Sequence, residues 1–472
     1  MNHPVAIALD LGTTSIKAGL LNENGELQTV KSLRSPAVEN NGAFYESDAL
    51  EYLRVTEKTL NLCLSGDHEN TSLGISCQRS SFLVWESDTG LPVSPLISWQ
   101  DTRAKEICIE FRSSAERITN LTGLCLTPYY FSPKLLWMLR HYPDWKHALT
   151  EGVLCVGTLE TFIVWRWTQG RYYRTDLSMA ARTLLVEYSA STWSEELCDL
   201  FGISPEYLPV IGQSTGLDIS LDNGCILRAS IADQSAALFA SGANDSSVVV
   251  NLGTGGFVSR YIARKRIVQY RPYLASVVCK DHCGKVHFSV EGTVNSFAPT
   301  LEKYPVGQCD FSGLAEIENV MCIAEPSGIG APYYRADIGQ TFSGPVIGLN
   351  KKVVTALLIE GFVFRINQII RDFYEIYPID VVILSGGLAN ITVIQQAIAA
   401  CSPAPVYLLK QTHASLFGIA QLAADLTQTQ TTKLTKVEIP PECGKLQRKY
   451  NKWRLWIDKF IQDREPFSRE QD

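Results

Sequence analysis

The chain has 472 residues, 46% of them apolar and 19% charged, which is enough length and apolar content for two or three cores. Its 49 acidic and 42 basic side chains leave a formal charge of −7, which argues against nucleic acid or an anionic membrane surface as the main partner. Anions held locally by backbone amides remain allowed. The opening MNHPVAIALDLG lacks the basic and apolar regions of a secretory signal, and no stretch approaches the roughly 18 uninterrupted apolar residues of a membrane span. The thirteen cysteines are scattered singly, so reduced core thiols in a cytoplasmic protein are expected. Nothing fixes the oligomeric state, and a homodimer is the default expectation.

Read in chain order, PVAIALDLG is a strand that breaks at a Gly-Thr-Thr turn, and SIKAGLLNENGEL continues as a strand, an Asn-Gly hairpin and a return strand. Asp48 to Leu64 has helical spacing, with Leu50, Leu53, Val55, Leu60 and Leu64 mostly on one side. SLGISC is a short buried strand. Trp85 to Tyr142, rich in Trp, Tyr and Pro, reads as irregular segments too broken for one regular element. In IADQSAAL, Asp233 reads as the acid in the first turn of a helix.

A second unit begins near residue 243, where SSVVVNLGTGGFVSRY repeats the shape of the first strand. The turns Asp10-Leu-Gly-Thr-Thr-Ser15 and Asn251-Leu-Gly-Thr-Gly-Gly256 look like one element used twice, which predicts two domains of common design, 1–242 and 243–472. SVVCKDHCGKVHFSV predicts a hairpin turning at Asp281 to Gly284. Its Cys279, His282, Cys283 and His287 match zinc-ligand spacing poorly. Val353 to Tyr377 predicts a helix, IDVVILSGGLAN a strand ending in Gly-Gly, and ITVIQQAIAAC the next helix. From about Gly444 a terminal helix sets Tyr450, Trp453, Ile457, Phe460 and Ile461 at helical spacing. It reads as packing that face on the body, with partner docking as the alternative. No segment resembles a flexible linker, so a tight hinge between the domains is expected.

Three glycine-rich turns carry the chemistry. Each follows an apolar strand, where backbone amides can point outward and glycines let the chain approach a phosphate closely. Thr13, Thr14 and Ser15 form one candidate phosphate cradle, and Gly253, Thr254 and Gly255 another. Neither is a Walker A sequence or a dinucleotide fingerprint. In the third turn, Ser385 to Asn390, the glycines leave room for a flat nucleobase or ribose. Asp10, beside the first cradle, suits a carboxylate that holds Mg²⁺ against phosphate oxygens. A turn-capping Asp is the alternative.

LDLGTTSIKAGLL, QDTRA, ADQSAAL, NLGTGGF and LSGGLAN occur in an order that resembles the FGGY family of carbohydrate kinases, and within it the glycerol kinases most. CQRSS, PYYFSPKLLWML, GTLETFIVW, RTDLSMAARTLL, SVEGTVNSFAP and GIGAPYY align as well, so the resemblance runs to about Ala424. A segment spelled Phe-Gly-Gly-Tyr is absent. The resemblance implies an α/β fold of two actin-like (ribonuclease-H-like) domains with a ligand cleft between them, the first binding sugar and the second nucleotide. It implies ATP-dependent phosphorylation of a sugar or polyol hydroxyl, with Asp233 as general base. Gln78, Arg79, Trp99, Tyr130 and Gln234 would line the polyol pocket with Asp233, supported by Asp101 and Arg103. Gly386, Gly387 and Asn390 would contact adenosine. The competing readings are glycerol kinase proper, an actin- or chaperone-like ATPase, and a regulatory relative without turnover. In glycerol kinases an acidic residue follows the Gln-Arg pair. Here Ser80 stands there, so glycerol is expected to be a poor substrate unless Glu46 or Glu291 takes over that role.

Overall fold

The computed structural model describes residues 5–64, 70–253, 255–295, 297–301, 303–411, 413–425 and 434–464. Its first main sheet holds β1 (Ala6–Leu11), β2 (Ser15–Leu21), β3 (Leu27–Arg34), β4 (Ser72–Cys77), β5 (Thr215–Ser220) and β6 (Ile226–Ala232) in the order β3-β2-β1-β4-β6-β5. β1 pairs antiparallel with β2 and parallel with β4, and β4 pairs parallel with β6. The central strand, covered on both faces, is buried at every position, as expected of parallel strands.

The second sheet repeats this plan. β7 (Ser247–Leu252), β8 (Gly256–Ile262), β9 (Leu274–Lys280), β10 (Val286–Val294), β11 (Val381–Ser385), β12 (Val406–Leu409) and β13 (Leu434–Lys436) run β9-β10-β8-β7-β11-β12-β13. β7 is antiparallel to β8 and parallel to β11. The repeated strand–turn–strand unit therefore heads each sheet. The register makes the likeness residue by residue, because Asp10 lies across from Ser76 of β4 as Asn251 lies across from Ser385 of β11.

Helix α1 (Ala49–Cys63) starts where Asp48 accepts the backbone N–H of Glu51 at 2.9 Å. The segment expected to be irregular differs from that reading: it holds helices Lys105–Glu110, Ala115–Thr122 and α2 (Phe131–His141). In α2, Phe131, Leu135, Met138 and Leu139 are buried at helical spacing, and Pro133 falls in the first turn, where no intrahelical N–H is needed. The breaks between the short helices hid a period that each one has.

α3 (Leu159–Trp167) and α4 (Leu177–Ala180) follow, and β6 then runs straight into α5 (Asp233–Ala240). α6 (Lys351–Ile376) is the one described helix long and apolar enough to cross a membrane. It is instead the buried core of the second unit. After α7 (Thr392–Cys401), α8 (Ala414–Ala423) crosses back to the first sheet. There Leu416, Phe417, Ile419 and Ala420 pack with Ala6, Ala8, Ala229 and Ile231. Gly418 permits the approach to α5, since a Cβ there would lie 1.9 Å from the Ala236 carbonyl oxygen. The terminal helix α9 (Gly444–Gln462) is docked, with Trp453 and Ile457 fully buried and the Trp453 indole N–H donating to the Cys322 carbonyl at 2.8 Å. Each such apolar side chain stabilises the body by about 1.5–3 kcal/mol. Inside the same contact Lys449 pairs with Glu360 of α6.

Candidate active site

The site forms where the strand ends of the first sheet meet the start of α8. Asp10, at the end of β1, is buried. Its Oδ1 accepts the hydroxyl of Ser76 and its Oδ2 that of Ser415, both at 2.8 Å, while Lys17 Nζ stands 3.9 Å away. The turn after it is held from below, because Ser35 and Tyr52 both donate to the Gly12 carbonyl, at 2.7 and 2.9 Å. Thr14 is exposed and Ser15 opens β2. Thr13 faces the other way: its hydroxyl donates to Gln78 Oε1 at 2.6 Å and accepts the Trp99 indole N–H at 2.9 Å. One side chain thus ties the candidate phosphate turn to two residues of the candidate sugar pocket.

β4 is followed by Gln78-Arg79-Ser80-Ser81. Ser80 adopts the left-handed backbone conformation, φ 62°, and its hydroxyl donates to the Arg182 carbonyl at 3.2 Å. Lys134, fully buried on α2, donates to the carbonyls of Ser80 at 3.2 Å and Ser98 at 2.9 Å, so it clamps the Arg79 loop to the Trp99 loop. Burial pulls its pKa down to about 7, and the pull of Asp101 in the opposite direction does not outweigh it. Arg103 forks onto buried Asp101 at 2.9 and 2.8 Å and reaches Glu46 at 2.5 Å, which makes Asp101 and Arg103 supports of this wall. Trp99 is half-exposed and stands against Tyr129.

Asp233 is the first residue of α5, and its Oδ1 accepts the N–H of Gln234 at 2.7 Å. Burial pushes its pKa up to about 6, Arg79 pulls it back, and Asp10 pushes it further up. Asp10 and Asp233 are therefore close enough to feel one another, with Arg79 between the competing effects. Arg79 is not the surface ion pair it could have been. Glu291, on β10 of the second sheet, sits 3.5 Å from Arg79 Nη1 and accepts Arg182 Nη2 at 3.0 and 3.3 Å. Burial alone would raise the Glu291 pKa, but Arg182 and Arg79 outweigh it and hold the carboxyl below its usual range. Tyr130, just before α2, lies among the same Arg182, Glu291 and Arg79 charges.

On the second sheet, the N–H of Gly253 donates to the Gly255 carbonyl at 2.9 Å, closing the turn after β7. Thr254 lies outside the described residues. Gly386 has φ 91°, and a Cβ on it would meet the Leu252 carbonyl oxygen at 2.5 Å, so both its conformation and its neighbour require glycine. Gly253 and Gly387 face open space, and Asn390 turns its amide toward the Gly387 carbonyl at 3.5 Å. Backbone at these two glycines is open to a ligand.

The structure thus gathers Asp10, Thr13, Gln78, Arg79, Trp99, Tyr130, Asp233 and Gln234 around the first sheet's strand ends, and Gly253, Gly255, Gly386, Gly387 and Asn390 around the second sheet's equivalent ends. Sequence reasoning missed Ser76, Ser415, Lys134 and Arg182. Arg182 lies in RTDLSMAARTLL, a motif used in alignment, but nothing in its spacing announces a partner 109 residues away.

Family models described as "FGGY family of carbohydrate kinases, N-terminal domain" and "C-terminal domain" match residues 5–222 and 248–425. A glycerol kinase of Malacoplasma penetrans is 27% identical over 88% of each chain. An apulose kinase of Pectobacterium atrosepticum is 30% identical over 78% of each. The fold is similar to that of Plasmodium falciparum glycerol kinase solved with ADP, with TM-score 0.83 at 20% identity, covering 96% of this chain and 97% of the other.

Proposed function

The chain belongs to the FGGY family of carbohydrate kinases, two actin-like α/β domains that phosphorylate a sugar or polyol hydroxyl with ATP, and on that premise we propose how its residues share the work. Asp233 is the general base. It accepts the proton of the attacking hydroxyl as the new O–P bond forms and the bond from the γ-phosphorus to the bridging oxygen of ADP breaks. The observation that carries this role is a carboxylate at the tip of α5 with its pKa raised to about 6, near the working range of a base. Gln78, Arg79 and Gln234 offer donors to the acceptor's hydroxyls, while Trp99 and Tyr130 pack on its C–H faces.

Nucleotide binding divides between the two repeats. The turn of Thr13, Thr14 and Ser15 and the turn of Gly253, Thr254 and Gly255 cradle phosphates, and Gly386, Gly387 and Asn390 receive adenosine. The open backbone at Gly253 and Gly387 supports that assignment. Asp10 fits Mg²⁺. Its two oxygens accept one hydroxyl each, Lys17 Nζ stands 3.9 Å from Oδ2, and lone pairs remain for metal-bound water. Among the described residues no three His, Cys, Asp or Glu side chains gather as a protein-only cage, which suits an ion brought in on phosphates. When bound, Mg²⁺ would offset phosphate charge during transfer. We place the domain division at 242/243, with α8 returning to the first sheet, and the enzyme in the cytoplasm, where its disulfide-free cysteines stay reduced.

An ADP-release assay against glycerol, erythritol, xylitol, xylulose, ribulose and heptuloses tests the assignment. ADP release should depend on one of these acceptors. Release at one rate with and without every acceptor would support an actin- or chaperone-like ATPase instead.

A further inference from the structure

Buried polar groups that the reaction does not use converge on Asp176. This residue ends the short strand Arg174–Asp176 and caps α4, accepting the N–H of Ser178 on Oδ2 at 2.8 Å and of Met179 on Oδ1 at 3.0 Å. A cap needs no more than that. Asp176 takes two further bonds, from the Ser178 hydroxyl at 3.0 Å and the Ser214 hydroxyl at 2.7 Å. Both hydroxyls pass the connection on. Ser178 Oγ accepts the N–H of Ala232 at 2.8 Å, and Ser214 Oγ accepts the N–H of Lys280 at 3.0 Å. Ala232 is the last residue of β6, next to Asp233, and Lys280 is the last residue of β9 in the second sheet. The backbone of Ser214 completes the junction, donating to the Lys280 carbonyl at 2.8 Å and accepting from Ser230 N–H at 2.9 Å.

All three side chains are at most 3% exposed. Burying a carboxylate without a cation is expensive, and such groups persist where a network satisfies every lone pair. Burial pushes the Asp176 pKa up to about 7 despite the serine hydroxyls. Glu160 of α3 and the Cys279 thiol of β9, which face it, add no positive charge. A surface Asp or an apolar contact would hold α4 at less cost.

We propose that Asp176 is a positioning residue that fixes the end of β6, and with it the Asp233 carboxylate, relative to the second sheet. The proposal rests on Asp233 being the general base. Ser178 carries the connection to the base, and Ser214 carries the connection to the domain that holds nucleotide. Correct placement of the base then requires the junction between the domains to be made.

Ser178→Ala removes the acceptor for Ala232 N–H and leaves both backbone caps on Asp176. Its kcat should fall about tenfold with KM for sugar and ATP within threefold, as for a displaced but intact base. The acid limb of kcat/KM should also move up by about half a pH unit or more, because a base drifting from Arg79 loses the cation that lowers its pKa. Parental kcat overturns the proposal, and so does a lower kcat with an unmoved acid limb, which would mean general damage. If Ser178→Ala folds poorly, Ser214→Ala, which leaves α4 capped, carries the same two readings. Asp233→Asn measured alongside separates the layers. Parental turnover in that variant would remove the base assignment, whereas a dead Asp233→Asn beside a parental Ser178→Ala would remove only the positioning role.

Discussion

Asp233→Asn should lower turnover by about 10²–10⁴ while ATP affinity stays within a few fold, because the amide cannot accept the acceptor's proton but keeps the volume of the carboxylate. Its contacts make the substitution clean. The only described hydrogen bond to the side chain is the Gln234 N–H to Oδ1, which the amide oxygen preserves. Purified variant turning over near the parental rate would disprove the assignment. The same carboxyl sets a pH dependence. With its pKa raised to about 6, kcat/KM should rise with pH through about 6 and level off above it, and the Asn variant's residual rate should lack that limb.

A raised carboxyl pKa also bears on stability, and the sign is opposite to that of an ordinary paired Asp. The folded state favours the protonated form, so the stabilisation is full below the unfolded value near 3.8 and is lost as pH rises through about 6. At neutral pH the ionised carboxylate is therefore a cost to the fold. Asp233→Asn should unfold at a higher temperature than the parent at pH 7.5, with the difference disappearing near pH 4. A less stable variant at pH 7.5 would mean that the ionised carboxylate does not destabilise the fold. Function and stability pull in opposite directions at this position, as expected where a charge is kept desolvated for chemistry.

How much of this was legible beforehand follows the range of the interactions. The strand–turn–strand of β1 and β2, its repeat in β7 and β8, the start of α5 at Asp233 and the long helix α6 were each readable, because hydrophobic period and turn chemistry are local. The docked face of α9 was readable for the same reason. Lys134 looked like any basic residue on an amphipathic helix, and only the fold reveals that its ammonium joins two carbonyls 18 residues apart. Ser415 is 405 residues from Asp10 and reaches it because α8 crosses back to the first sheet, a crossing no local pattern announces. Arg182 hides equally well, since it is one charge among many until β10 brings Glu291 to it. The helices between Trp85 and Tyr142 were lost because breaks separate them, although α2 has its buried residues at helical spacing.

Glycerol should be a poor substrate, with a specificity constant about ten- to hundredfold below that of a longer polyol or ketose. The relatives include proteins named glycerol kinase, so the expectation depends on one position. An acidic residue after the Gln-Arg pair would accept charge-assisted hydrogen bonds worth about 1.5–3 kcal/mol, and Ser80 offers a short neutral hydroxyl instead. That hydroxyl is already committed to the Arg182 carbonyl at 3.2 Å. Neither neighbouring carboxylate is free to substitute. Glu46 is taken by Arg103 at 2.5 Å, and Glu291 is held by Arg182 at 3.0 Å with Arg79 at 3.5 Å. Withdrawing Glu291 to serve a ligand would leave the buried Arg182 and the half-buried Arg79 guanidiniums without their anion, a cost of the same order as the bond gained. The lost acceptor converts to the stated tenfold to hundredfold at about 1.4 kcal/mol per factor of ten. The space left by the shorter side chain favours an acceptor with more carbons, whose additional hydroxyls can reach the guanidiniums directly. Steady-state kinetics on glycerol beside the longer acceptors, with parent and Ser80→Glu, decides the matter. Glycerol equalling the best longer acceptor in the parent would sink the idea, and so would a Ser80→Glu variant that gained nothing on glycerol.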